Sequence, residues 1–148
     1  MRGTTDSNRA TTMVEALRLH AQTTPERAAF RFLPVASARI DLSFAELDQA
    51  AAQLAGILRS RVRRGDRVLM FYPPGLDFVT AFFAVLYAGA VAVPLVPPRR
   101  SRNGAIAALI DNAEPTLVLT SSRLAPRING IISDLGGPLD VEIGRAHV

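Results

Sequence analysis

The sequence predicts an α/β fold in which a partial, mostly parallel sheet is flanked by helices. Three apolar runs of strand length, at residues 67–72, 91–96 and 116–120, are typical of buried parallel strands. Segments with helical periodicity separate these runs, so strands and helices alternate along the chain. Three buried strands joined by two helices leave one sheet edge that requires more chain, and the predicted sheet is therefore incomplete.

Composition excludes several kinds of site. The chain has 148 residues, of which 49% are hydrophobic, so it can bury a core. It contains no cysteine and no lysine, which excludes thiolate metal sites, thiol nucleophiles, Schiff-base lysines and a P-loop lysine. The net charge is only +4, and no basic face with stacking aromatics is visible, so no nucleic-acid partner is predicted.

The first part of the chain predicts a helix and a hairpin. Residues 1–11 are polar and lack the apolar stretch of a signal peptide, so we predict a flexible leader and a cytoplasmic location. Thr12 and Glu15 have the spacing of a capping box, and Pro25 ends the helix that follows. Residues 28–33 and 39–42 predict the two strands of a hairpin.

The middle of the chain predicts a long helix and then a βαβ unit. Ser43 and Glu46 form a second capping box, followed by apolar residues at helical spacing. After the strand at residues 67–72, Pro73-Pro74-Gly75 predicts a sharp turn, and residues 76–88 predict an apolar helix that Gly89 ends. Residues 78–96 are also long enough to cross a bilayer, but the glycine and the switch to valines favour a helix followed by a strand, and no membrane span is predicted.

The last part of the chain predicts two further helices around a strand. Asn103 is expected to cap a helix over residues 104–112, which precedes the strand at residues 116–120. Ser121 or Ser122 is expected to cap a helix reaching toward Leu135, and a Gly-Gly-Pro sequence then breaks it. The predicted partial domain covers residues 12–141.

One of the possible coding sequences of residues 142–148 (EIGRAHV) is a familiar DNA sequence. The codons GAG ATC GGA AGA GCA CAC GTC, followed by the stop codon TGA, encode this peptide and match a common sequencing-library adapter. We therefore predict a non-native tail and a gene that continues beyond residue 141; an ordinary C-terminus is the alternative.

The sequence alone identifies no catalytic, cofactor-binding or metal-ligating residue. Motifs such as GxGxxG, HExxH and GxSxG are absent. Tyr72 ends a strand where open α/β sheets bind ligands, yet core packing is the favoured interpretation. Ser121 and Ser122 also follow a strand, but no histidine stands near them to activate a nucleophile. Asp66 and Asp77 are interpreted as a turn residue and a helix-start charge.

Three segments resemble a known enzyme superfamily. They are LSFAELDQAAAQLA at residues 42–55, GDRVLMFYPPGLDFVTAFFAVLYAGAVAVPLVPPRR at residues 65–100, and EPTLVLTSS at residues 114–122. They resemble the start of the large N-terminal domain of acyl-adenylate-forming enzymes, which include acyl-CoA synthetases and peptide-synthetase adenylation domains. The segments YPPGLDF and VPPRR are most similar to the corresponding sequences of fatty-acyl-AMP ligases.

The resemblance implies a reaction for the full-length enzyme. A fatty acid would be activated with ATP and Mg²⁺ as an acyl-adenylate and then transferred to the phosphopantetheine of an acyl carrier protein. The family's phosphate loop would lie beyond Val141, and its catalytic lysine cannot be in this chain. We therefore expect the chain to be inactive alone. A fragment of a fatty acyl-CoA synthetase or of a synthase loading domain, and a small stand-alone α/β binding domain, are the alternatives.

Overall fold

The computed structural model describes residues 10–97 and 103–144. Most of the predicted leader, the basic loop that follows the second proline of Pro97-Pro98, and the end of the predicted tail lie outside these ranges. The chain forms two compact units, Met1–Gln49 and Ala50–Val148.

The first unit contains a capped helix and an antiparallel hairpin. Helix α1 (Met13–Thr23) begins with the predicted capping box, in which Thr12 Oγ1 accepts from the Glu15 amide at 3.1 Å and Glu15 Oε2 accepts from the Thr12 amide at 3.1 Å. Strands β1 (Ala28–Phe32) and β2 (Ile40–Ser43) pair antiparallel. The predicted helix start and the hairpin are confirmed.

A second capping box opens helix α2 (Phe44–Leu58), whose residues belong to both units. The Ser43 amide donates to Glu46 Oε2 at 2.8 Å, and the Glu46 amide donates to Ser43 Oγ at 3.2 Å. The capping box that the sequence predicts at Ser43 and Glu46 is therefore present in the structure.

The second unit is built on a four-stranded parallel sheet. The strands are β3 (Arg67–Phe71), β4 (Val91–Leu95), β5 (Leu117–Thr120) and β6 (Asp140–Ile143), in the order β4-β3-β5-β6. Helices α3 (Leu76–Tyr87), α4 (Asn103–Ala113) and α5 (Ala125–Asp134) connect them. The α/β class and the parallel sheet predicted from the sequence are confirmed.

One buried cluster of this unit lies where β3, β5 and α5 meet. Its fully enclosed members are Leu69, Phe71, Val118, Ile128 and Ile132. Alternate positions of the two central strands supply the first three, and one face of α5 supplies the two isoleucines, as expected from the strand and helix periods.

The βαβ unit follows the prediction closely. Residues 78–96 divide into most of α3, a turn and β4, rather than forming one long helix. Gly89 has φ = +78°, the left-handed conformation that glycine adopts without steric cost at the end of a helix. No helix in the described ranges is long and apolar enough to cross a membrane.

Three details differ from the prediction. Strand β6 was not predicted, although Asp140–Ile143 pairs with β5 along its length. Helix α5 starts at Ala125 with Leu124 as its N-cap, so the prediction that Ser121 or Ser122 caps it is wrong; Pro126 at the helix start fixes φ there instead. Strand β4 is less buried than expected because it lies at a sheet edge, where 46% of Val91 is exposed.

Candidate functional site

The strand order places a topological switch point between β3 and β5. The chain passes from β3 to β4 on one side and later returns to add β5 on the other side of β3. Open α/β sheets bind ligands outside the carboxyl ends of the strands at such a point. The register pairs Phe71 with Thr120, so the residues that follow them, Tyr72 and Ser121, leave neighbouring strand ends. We take this edge as the candidate site.

A side-chain hydrogen bond ties the two strand ends together. Thr120 is fully buried, and its Oγ1 donates to the Phe71 carbonyl oxygen at 2.7 Å. The bond occupies the donor of Thr120 and an acceptor of β3 at the switch point. The Thr120 hydroxyl and the Phe71 carbonyl group therefore join the ends of β3 and β5 and are not available to bind a ligand.

Tyr72 is enclosed at the same edge. Only 4% of its surface is exposed, and its hydroxyl donates to the Gly144 carbonyl oxygen at 3.3 Å. Burial raises the pKa of Tyr72, and the nearby negative charges of Asp77 and Glu142 raise it further. The phenol therefore stays neutral, and the burial agrees with the favoured interpretation of Tyr72 as a core residue.

Gly144 lies tightly against the Tyr72 ring. A Cβ atom added at Gly144 would lie 2.5 Å from the Tyr72 hydroxyl oxygen and 3.0 Å from Leu54 Cδ2. The contact leaves no space for a ligand over the hydroxyl. The adapter-encoded origin of residues 142–148 stays a prediction.

Ser121 serves the turn that follows β5. Its side chain is buried, and its Oγ accepts from the Leu124 amide at 3.4 Å, while its carbonyl oxygen accepts from the Ala125 amide at 2.9 Å. No general base adjoins it in the second unit's described residues, which contain no histidine. Ser121 therefore organises a turn, and Ser122 is exposed beside it.

The carboxylates just before β3 and at the start of α3 also have local roles. Asp66 Oδ2 accepts from the Arg63 amide at 2.8 Å and so closes the turn before β3. Asp77 lies in the first turn of α3, where the helix dipole favours a negative charge. Both agree with their interpretation from the sequence. Across the described ranges, no group of three or more metal-ligating side chains occurs.

The first unit contains a cavity. Its volume is about 310 Å³, and three carboxylates, Glu26, Asp41 and Glu46, contribute to its lining. Asp41 is paired with Arg31 at 3.0 Å and with Arg39 at 3.2 Å, and Glu46 caps α2. Asp41 is thus engaged in ion pairs and Glu46 in a helix cap within the unit.

Comparison with known proteins identifies the family. A sequence model described as AMP-binding enzyme matches residues 17–143, which is most of the chain. This chain belongs to the AMP-binding enzyme family. The resemblance stated from residues 42–122 is confirmed at the level of the superfamily, and the relatives described next include fatty-acid ligases.

Two relatives of this chain are named as fatty-acid ligases. The chain is 35% identical over 114 residues to the medium-chain-fatty-acid–[acyl-carrier-protein] ligase JamA of Moorena producens. The alignment covers 74% of the chain and 19% of JamA. The chain is also 35% identical over 105 residues to the long-chain-fatty-acid–AMP ligase FadD32 of Mycolicibacterium smegmatis. This alignment covers 68% of the chain and 17% of FadD32.

A solved structure has the same fold. The fatty acyl-adenylate ligase of Legionella pneumophila, determined in complex with acyl adenylate and pyrophosphate, superposes with a TM-score of 0.77 at 26% identity. The match covers 91% of this chain and 23% of that one. The chain therefore spans only about a fifth of the length of these three relatives.

Proposed function

We propose that this chain is the opening part of the large N-terminal domain of a longer ligase that activates fatty acids with ATP as acyl-adenylates. The observation that carries the proposal is the family match over residues 17–143, with fatty-acid ligases among the relatives. The segments YPPGLDF and VPPRR, which lie around β3, α3 and β4, support a fatty-acyl-AMP ligase in particular.

The described residues do not fit ATP or Mg²⁺. At the switch point, Thr120 bonds to the Phe71 carbonyl, and Tyr72 is buried against Gly144. Within residues 10–97 and 103–144, no three His, Asp or Glu side chains lie together where they could hold a metal ion. We assign binding of both groups to residues outside this chain.

The role of these residues is to build and hold the scaffold. Adenylate formation requires a carboxylate and a nucleotide to be oriented together, which depends on strand ends that do not move relative to one another. The bond between Thr120 and the Phe71 carbonyl fixes two adjacent strand ends in this way. Transfer of the acyl group to an acyl carrier protein, and a cytoplasmic location, complete the proposal.

The test is to recover the gene past residue 141 and assay the longer protein. We expect release of pyrophosphate from ATP that depends on a fatty acid. Medium- and long-chain acids are tested because the two relatives differ in this respect. The 148-residue chain is the control and should release none. Adenylate formation by the short chain, or a longer protein without fatty-acid-dependent release, would refute the proposal.

The acceptor requires a separate assay. With the acyl-adenylate formed, the longer protein is offered holo acyl carrier protein or coenzyme A. Acylation of the carrier protein alone supports the fatty-acyl-AMP ligase, whereas acyl-CoA formation supports a fatty acyl-CoA synthetase. A recovered gene in which residues 142–148 are genuine coding sequence and Val148 is the true C-terminus would instead favour a stand-alone α/β domain.

A further inference from the structure

Helix α3 is apolar around almost its whole circumference. Among its side chains, only those of Asp77, Thr80 and Tyr87 carry a polar group. A helix on the surface of a soluble protein normally has a polar outer face, whereas a helix that is apolar all round is covered on every side. One side of α3 is buried within the second unit, through Thr80, Ala81, Phe83, Ala84, Val85 and Tyr87. Its other side is only partly covered by the described residues.

This other side of α3 carries an apolar stripe. The stripe consists of Phe78, Val79, Phe82 and Leu86, whose spacing places them along one side of a helix. All four side chains are half-buried, and none of them is charged. At a rise of 1.5 Å per residue, the stripe is about 12 Å long. We call these four residues the α3 stripe.

Ring contacts hold Phe82 at the centre of the α3 stripe. Its ring centroid lies 6.0 Å from that of Phe78, with the rings tilted by 37°. It lies 5.9 Å from the ring of Phe83, which is buried and meets it edge-on at 89°. Aromatic pairs at such distances and angles attract each other beyond the area that they bury. Phe82 therefore presents a restrained apolar surface to whatever lies over the stripe.

The α3 stripe starts beside the candidate site. Helix α3 follows the carboxyl end of β3, where the switch point lies, and runs back to the edge at which β4 begins. A ligand whose polar head lies at the switch point can therefore extend an apolar tail along the stripe. Fatty acids have this shape, and the names of two relatives specify medium-chain and long-chain fatty acids. Ligand pockets are lined mainly by apolar and aromatic side chains, as this stripe is.

We propose that the α3 stripe forms one wall of the channel that holds the acyl chain in the longer protein, and that Phe82 contributes to the choice of chain length. The inference rests on the proposed function, because it takes a fatty acid as the ligand. An acyl chain is favoured as the occupant because the stripe is uncharged and begins at the ligand-binding edge of the sheet. A protein segment packed over the stripe would give different results in the tests.

Substitution of Phe82 in the longer protein tests the wall. Pyrophosphate release is measured with saturated fatty acids of increasing length. Phe82→Ala should raise kcat/KM for long acids relative to medium-length acids by about tenfold or more, because it enlarges the channel. Phe82→Trp should lower the same ratio by a similar factor, because it narrows the channel. Shifts in opposite directions support the proposal.

Two further variants are matched controls. Val85→Ala removes a fully buried side chain from the inner side of α3, so it should lower the melting temperature and leave the chain-length ratio unchanged. Phe30→Ala removes a ring from the first unit and should also leave the ratio unchanged. Phe82 variants that lower the melting temperature as Val85→Ala does, with no change in the ratio, would indicate a protein segment over the stripe and overturn the proposal. Phe82 variants that change neither quantity also overturn it.

Photolabelling of the unsubstituted longer protein gives a readout that does not depend on whether a variant folds. A long-chain fatty acid with a diazirine near its terminal carbon is bound and irradiated, and the labelled residues are located by mass spectrometry. Helix α3 lies within one tryptic peptide, residues 68–99, because no arginine or lysine lies between Arg67 and Arg99. Label within residues 78–86 supports the proposal, and label confined to other parts of the protein overturns it.

The wall and the proposed function fail in different ways. Fatty-acid-dependent release of pyrophosphate, with no label on α3 and an unchanged chain-length ratio in the Phe82 variants, overturns the wall and leaves the proposed function intact. Label on α3 without release of pyrophosphate for any fatty acid contradicts the proposed function and leaves the wall intact.

Discussion

Two buried threonines of the second unit differ in whether their hydroxyl has a partner. Thr120 Oγ1 donates to the Phe71 carbonyl, whereas Thr80 Oγ1 on α3 is buried without a hydrogen-bond partner among the described residues. Only 1% of Thr80 and 0% of Thr120 is exposed. A buried hydroxyl without a partner destabilises a fold, and one with a short bond stabilises it.

The two threonines therefore predict opposite effects of one substitution. Thr120→Val should lower the free energy of unfolding by about 1–2 kcal/mol, because it removes a buried bond. Thr80→Val should leave it unchanged or raise it by up to about 1 kcal/mol, because the methyl group replaces an unpaired hydroxyl. Urea unfolding of the two variants and the parent measures both. Equal destabilisation by the two variants would contradict this prediction.

Glu15 at the start of α1 predicts a dependence on pH. The hydrogen bonds from the Thr11 hydroxyl and amide hold the pKa of Glu15 below its ordinary value of 4.5. A carboxyl whose pKa is lower in the folded state stabilises the fold above its ordinary pKa, and this stabilisation is lost as the pH falls through the folded value. Glu15→Gln should therefore lose part of the difference in melting temperature between neutral pH and pH 3.

The control for Glu15 is Glu26→Gln, an exposed carboxylate of the same unit. It should keep the pH dependence of the parent chain. An unchanged pH profile in Glu15→Gln would show that the ionised Glu15 carboxylate contributes no measurable stability, since glutamine can still complete the capping box.

At the scale of elements, arginine side chains cap two helices of the second unit. Arg59 Nη2 donates to the Tyr87 carbonyl oxygen at 2.9 Å, at the end of α3. Arg67 Nη1 donates to the Ala113 carbonyl oxygen at 3.0 Å, at the end of α4. A cation is favoured at a helix C-terminus, where the last carbonyl groups lack partners within the helix. Arg59 and Arg67 thus each bind the last carbonyl group of a helix.

Substitution of Arg59 tests this cap. Arg59→Met should lower the free energy of unfolding by about 0.5–1.5 kcal/mol, since it removes both the bond and the charge. Arg127→Met, on the exposed face of α5, is the matched control and should have an effect within about 0.5 kcal/mol of zero. Equal losses in the two variants would indicate that the bond to Tyr87 contributes nothing.

Most helices and strands could be predicted from residues that are close together in the sequence. The predictions failed where an element depends on which residues bond or pair with one another in the fold. The capping boxes at Thr12 and Ser43 and the turn at Gly89 each depend on neighbours in sequence, and each is found in the structure. Helix α5 starts later than predicted because Ser121 forms a turn of its own, a role for which serine competes with helix capping. Strand β6 has only four residues, and its pairing with β5 defines it.

The candidate site shows the same limit. The sequence could mark Tyr72 and Ser121 as strand-end residues. It could not show that β3 and β5 are neighbours, which is what brings the Phe71 carbonyl to Thr120. The order of strands is set by packing between distant segments, so the switch point appears only in the structure.

At the scale of the whole molecule, apolar side chains remain exposed along the outer strands of the second unit. Val91 in β4 is 46% exposed, Val96 just after it is 88% exposed, and Ile143 in β6 is 37% exposed. Large apolar residues along unpaired strands favour association between chains. Because four-fifths of each relative lies outside the match, we expect the longer protein to cover much of this surface.

This surface predicts the behaviour of the chain in isolation. The segment covering residues 1–141 should bind a hydrophobic dye, scatter light more strongly as its concentration rises, and melt over a broad temperature range, because a half-covered core unfolds with low cooperativity. The longer protein should bind little dye and remain in solution. Calorimetry, dye fluorescence and light scattering on both proteins make the comparison. A sharp two-state transition from a monomer of the short segment would contradict the view of these residues as part of a larger ligase, because it would mean that the unit completes its own core.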